Sequence, residues 1–169
     1  PFTLREARVT ANERQRLIER YERGPKLIKE ALAKVPAEAL MWRPAPGKWS
    51  VHEVVCHCAD SETTASVRIR FLIGEDNPTI VGYDQDRWAR RFDYHGLPLD
   101  LALRQVEQVR AWTADLIRRL PEAAWARAGT HSESGHYTGA QWLALYAEHL
   151  EVHARQIERN LEAWKTRAA

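Results

Sequence analysis

Three helix-start signatures constrain this chain more than any other feature. Thr10-Ala11-Asn12-Glu13, Ser50-Val51-His52-Glu53 and Thr138-Gly139-Ala140-Gln141 each place a hydroxyl three residues before a Glu or Gln. In such a box the hydroxyl accepts from the backbone N–H of the fourth residue, and that residue's side chain returns the bond to the first. Each box opens a long run with apolar residues spaced three and four apart, the period of a helix burying one face. The first run carries Leu17, Tyr21, Leu27, Ile28, Ala31, Leu32 and Val35 before Pro36 ends it, and Gly24-Pro25 is expected to bend or interrupt it. The second runs to about Ile73 on Val51, Val54, Val55, Cys58, Ala65, Ile69 and Leu72, with Gly74 as its C-terminal cap.

A further run without a box, from about Leu99 to Leu120, uses Leu103, Val106, Val109, Leu116, Ile117 and Leu120. The last extends to about Trp164 with Trp142, Leu145, Tyr146, Ile157, Leu161 and Trp164 for the core. Four such helices predict an all-α chain, a four-helix bundle, and one domain over residues 1–169. The pattern is helical throughout. Residues 75–97 form a long crossover connection, with a short helical turn at Asp86–Arg91.

A formal charge of +2, with Lys and Arg interspersed among Asp and Glu, offers no basic stripe for nucleic acid. No apolar run reaches the ~18 residues that span a bilayer, and Pro1–Glu6 lacks the apolar core of a signal peptide. Cys56 and Cys58 sit two apart on one helix, poorly placed for a mutual disulfide. The expectation is a cytoplasmic protein without membrane or nucleic-acid partners.

His149 and His153 stand four apart on the last helix. That spacing puts both rings on one face, ~6 Å apart in rise. Two neutral imidazoles so placed can grip a divalent transition metal, but weakly without a third ligand. The commoner reading of the pair by itself is two partly buried polar residues, or simply surface ones. His57 on the second helix is the candidate third ligand, although alone it reads as a hydrogen-bonded packing residue. Consecutive positions point ~100° apart, so Cys56 and Cys58 cannot converge on the same ion and read as small buried hydrophobes. Asp60 and Ser61, three and four residues beyond His57, are candidates to face the same pocket. His131 and His136 precede the last helix and can line its mouth. Arg68 and Arg70 can take an anionic substrate, though a surface ion pair is the commoner use of such residues.

Longer motifs sharpen this reading. Residues Pro44-Ala45-Pro46-Gly47-Lys48-Trp49-Ser50 through His57-Cys58-Ala59-Asp60-Ser61-Glu62 resemble the signature of the DinB-like superfamily. They are most similar to its branch of YfiT-type metal-dependent hydrolases and bacillithiol S-transferases. Glu75-Asp76-Asn77-Pro78-Thr79-Ile80, Tyr83-Asp84, Trp88-Ala89, His131-Ser132-Glu133-Ser134-Gly135 and the segment Tyr146 to Ile157 resemble the same branch in the same order. The resemblance runs from about Val35 to Leu161. It implies a four-helix bundle with a metal triad at His57, His149 and His153, holding nickel or zinc. It also implies a small-molecule substrate, which includes low-molecular-weight thiols, and a homodimer. The activity expected is hydrolysis or thiol S-transfer. The alternative is a non-catalytic small-ligand-binding or stress-response protein with a structural metal. Some members of the branch carry extra histidines around the last pair; here Val152 and Gln156 occupy those places, and Gln156 joins the candidate pocket.

Overall fold

A computed structural model of the chain describes residues 9–167; Pro1–Glu6 lies outside them. The helices are α1 (Ala11–Leu32), α2 (Val51–Gly74), α3 (Gln85–Arg91), α4 (Leu99–Arg118) and α5 (Gly139–Lys165). All three capping boxes form, at Thr10, Ser50 and Thr138. Pro98 precedes α4 without a side-chain cap. The four long helices make the bundle: α1 lies along α5 and α2 along α4, while α2 also meets α5 and α1 meets α4. Among the described residues no helix is long and apolar enough to cross a membrane.

The core has two lobes. One gathers Ile28, Val54, Val55, Val106, Leu150 and Ile157. The other gathers Tyr21, Ile69, Leu72, Ile117, Trp142 and Leu143. Of the apolar positions expected inside, Leu145 proves exposed.

Two expectations need correction. The chain is not helical throughout. Strands β1 (Thr79–Ile80), β2 (Ala128–His131) and β3 (Gly135–Thr138) form a small sheet in the order β1-β2-β3. β1 runs parallel to β2, with Thr79 opposite Thr130, and β2–β3 is an antiparallel hairpin. Strands of two to four residues are too short to show the alternation that reveals a strand in sequence. Gly129 is required where β2 crosses the connection, since a Cβ there would lie 2.3 Å from the Pro78 carbonyl oxygen. The sheet ties the start of the crossover to the segment before α5.

The second correction concerns Gly24-Pro25: α1 continues through it without a break. Proline has no N–H, so the Tyr21 carbonyl four residues back loses its helical donor. The Nη1 of Arg110 on α4 donates to that carbonyl at 2.5 Å instead. Gly24 allows the close approach of α5, because a Cβ there would lie 2.9 Å from Leu150 Cβ.

Candidate metal centre

α2 and α5 bring three distant residues together. One ring nitrogen each from His57, His149 and His153 falls within 4.8 Å of the other two. His57 is buried, and its ring centroid lies 4.8 Å from that of His153 and 5.6 Å from that of His149. The Nε2 atoms of His149 and His153 stand 3.2 Å apart.

Each of these two rings is anchored at its other nitrogen. His149 Nδ1 meets Glu62 Oε1 at 2.7 Å, and His153 Nδ1 meets Gln156 Oε1 at 2.8 Å. An ionised carboxylate only accepts, so His149 Nδ1 carries a proton, and in the neutral ring Nε2 is then a lone pair. The Gln156 amide oxygen imposes the same tautomer on His153. Two lone pairs therefore confront each other, an arrangement that a cation between them relieves. Tetrahedral coordination with metal–nitrogen distances of about 2.0–2.1 Å requires nitrogen pairs about 3.3 Å apart. His149 and His153 already meet that requirement.

The protonation states suit ligation. Burial, then the neighbouring His153 and His149, push the His57 pKa down to about 2. Burial and His149 push that of His153 down to about 4. Both are neutral imidazoles near pH 7. His57 Nδ1 is buried without a hydrogen-bond partner, and Trp49 packs on that ring at a centroid distance of 4.7 Å. Three imidazole nitrogens, two of the rings oriented by a bond at the far side, fit a divalent transition metal such as zinc, nickel or iron.

Behind His149 lies a support that sequence reasoning missed. Glu62 and Arg110 are both buried, and Arg110 grips the carboxylate with Nε at 2.5 Å and Nη2 at 2.7 Å. Arg110 also donates to the carbonyls of Tyr21 and Tyr146 and lies 3.8 Å from the Tyr21 ring centre. Burial works to raise the Glu62 pKa. The Arg110 charge and the bond from His149 overcome it and hold the carboxyl below its usual range. A signal existed in the sequence. Glu62 follows Cys58 by four and Arg110 follows Val106 by four, so opposite charges interrupt two apolar stripes.

The other expected residues divide. Ser61 is brought to the cluster, its Oγ 3.4 Å from His149 Nε2. Gln156 is brought there through His153. Asp60 instead accepts from the Tyr94 hydroxyl at 2.6 Å, on the crossover side. His131 stands on β2, edge-on to Tyr137 at 5.5 Å, with Nδ1 accepting from the Glu133 N–H; it is not in the cluster. His136 is exposed on β3. Cys56 and Cys58 are buried free thiols, and burial raises Cys56 to about 12. A cleft of about 440 Å³ is walled by Trp49 and Gln156, the residues that pack on His57 and bond His153, with Lys48, Tyr83, Asp84 and Asp86 also in its wall.

Residues 20–157 match the family model of the DinB superfamily. The chain belongs to the DinB superfamily. Among DinB relatives it is 32% identical over 140 residues to a protein of Oceanobacillus iheyensis named "putative metal-dependent hydrolase", covering 83% of this chain and 81% of that one. A Bacillus licheniformis protein of the same description is 32% identical over 141 residues, 81% of this chain and 78% of the other. In three dimensions this DinB chain is similar to YfiT from Bacillus subtilis, described as a probable metal-dependent hydrolase with an unusual four-helix bundle topology. The TM-score is 0.87 at 23% identity, over 95% of this chain and 92% of YfiT. That likeness establishes the fold.

Proposed function

We propose that this protein is a metal-dependent hydrolase of small molecules, with a zinc or nickel ion held by His57, His149 and His153. The observation that carries the reading is the pair of Nε2 atoms 3.2 Å apart, each ring held by an acceptor on its far side. Facing lone pairs on two half-buried rings repel each other unless a cation joins them. When bound, such an ion supplies Lewis acidity and makes a nucleophile of water or a thiol near neutral pH. The protein's own residues do the rest. Glu62 and Gln156 orient the ligand rings. Trp49 shields the His57 ring from water. Ser61 stands where its hydroxyl can bond a reactant at the cluster.

Thiol transfer at the same centre is the second reading, and one observation favours it. The neighbouring carboxylates are engaged, Glu62 by Arg110 and His149, and Asp60 by Tyr94. Attack by water draws on a general base, whereas a thiol once ionised needs none.

The test is metal content of the purified protein and of His57→Ala, His149→Ala and His153→Ala. Near-stoichiometric metal in the wild type and its loss in each variant is expected. Retention in all three variants overturns the assignment. Turnover of esters and amides, compared with thiol-plus-electrophile pairs on the loaded protein, separates hydrolysis from transfer. Binding without turnover of either would make this a ligand-binding protein with a structural metal.

A further inference from the structure

Arg68 breaks the pattern set by most of the arginines that bond across elements. Arg14, Arg20, Arg43, Arg110 and Arg118 each meet a carboxylate. Arg68 is half-buried, and its partners are neutral: Nη1 donates to the Tyr146 hydroxyl at 3.3 Å and Nη2 to the Val81 carbonyl at 2.7 Å. Its Nε is buried with no partner. Close by, the Tyr137 hydroxyl is also buried and unpartnered. Burial pushes that phenol up while the Arg68 charge pulls it the other way. The Tyr83 ring centre lies 5.7 Å from the guanidinium. A partly desolvated cation beside unspent donors favours an oxyanion, which a guanidinium edge can take through two parallel N–H bonds.

The location ties Arg68 to the histidines. Positions 57, 61 and 68 lie on one face of α2, since steps of four and seven residues nearly complete whole turns. Arg68 is ~16 Å of helix rise from His57, and its side chain reaches back toward the helix N-terminus. Tyr146 joins the two sites: its hydroxyl bonds Arg68, and its ring lies 5.5 Å from that of His149. The gap from the histidine cluster to the guanidinium is then ~10 Å by the same helix geometry, which a four-carbon thiol carboxylate of about 6–7 Å bridges with a metal–sulfur bond of about 2.3 Å at one end and N–H···O bonds of about 2.8 Å at the other.

We propose that Arg68, with the phenols of Tyr137 and Tyr146, is the subsite for a carboxylate carried by the substrate, so that this DinB protein acts on small anionic molecules. The proposal rests on the reading of the histidine cluster as the reaction centre. Its test is arranged so that the two can fail separately.

Two arms are measured. Zinc-loaded protein is titrated calorimetrically with 4-mercaptobutyrate and with the uncharged 4-mercaptobutanol. A preference of about tenfold or more for the carboxylate is expected in the wild type, the scale of a charge-assisted hydrogen bond. It should persist in Arg70→Gln, shrink in Arg68→Lys and vanish in Arg68→Gln. In the second arm, metal-free ¹⁵N-labelled wild-type protein is titrated with butyrate or butanol while the arginine Nε–H resonances are followed. Butyrate, and not butanol, is expected to move the Arg68 signal. Equal binding of the two thiols with zinc retained, together with an unmoved Arg68 signal, overturns the subsite and leaves the metal centre standing. Zinc failing to bind while butyrate still moves the Arg68 signal overturns the metal centre and leaves the subsite. Both arms are decided on the wild type, so a poorly folding Arg68→Gln leaves the proposal open to refutation.

Discussion

Glu62→Gln tests how far the buried pair governs the proposed metal centre. The substitution keeps the shape of the side chain and removes its charge. Arg110 is 1% and Glu62 0% exposed, so solvent cannot compensate the guanidinium left behind. Removing one partner of a buried pair costs about 3–5 kcal/mol. Arg110 keeps its bonds to the Tyr21 and Tyr146 carbonyls, and the amide oxygen still accepts, which places the loss near the lower end. A domain of ordinary stability, about 5–15 kcal/mol, survives this folded. The amide can also present its NH₂ to His149 Nδ1, which favours the wrong tautomer. Loss of such a support typically weakens metal binding 10- to 100-fold, about 1.4–2.7 kcal/mol. Two effects of different size are therefore expected in one variant. Urea melts of the metal-free protein report the first. Zinc competition against a chromophoric chelator reports the second. In saturating zinc the stability gap between wild type and variant should widen by the affinity term. Zinc affinity within twofold of wild type, with an unchanged urea midpoint, would refute the claim that Glu62 steers His149.

The remaining expectations concern acid and packing. The folded pKa values of His153, about 4, and His57, about 2, lie below the ordinary 6.5. The unfolded chain therefore binds protons first, and metal-free protein should lose stability as pH falls from about 6.5 through 4 and onward; a flat urea midpoint across that range would contradict the burial of neutral rings. His153→Ala should make the upper part of the decline shallower. Gly24→Ala drives a methyl against Leu150. Overpacking of about 1–3 kcal/mol, offset by about 1 kcal/mol of helix propensity, predicts a net loss of up to about 2 kcal/mol in urea melts.

Much of this molecule is legible in its sequence because capping boxes and helical periodicity are local signals. They place Thr10, Ser50 and Thr138 at the starts of helices and order the bundle. The strands are not legible: Thr79–Ile80 forms pairs only because Pro78 and Ile80 meet the backbone of residues some fifty positions away. The four-residue spacing of His149 and His153 could be read directly, and the longer motifs pointed to His57. That Asp60 turns to Tyr94 while Ser61 turns to His149 depends on where the crossover lies. The partnership of Glu62 with Arg110 was visible only as two misplaced charges, each unexplained until the other helix is alongside.

The uninterrupted path of α1 past Pro25 bears on how this protein can be improved by engineering. Replacing a proline inside a helix is normally a safe route to a sturdier molecule. Here the imino acid keeps a main-chain oxygen available to a guanidinium two steps removed from an imidazole of the histidine cluster. Pro25→Ala would supply that oxygen with a rival, so a gain in melting temperature would come with a looser grip on zinc. Protein-wide substitution rules would score this position as a defect, although its missing hydrogen is part of what aims His149.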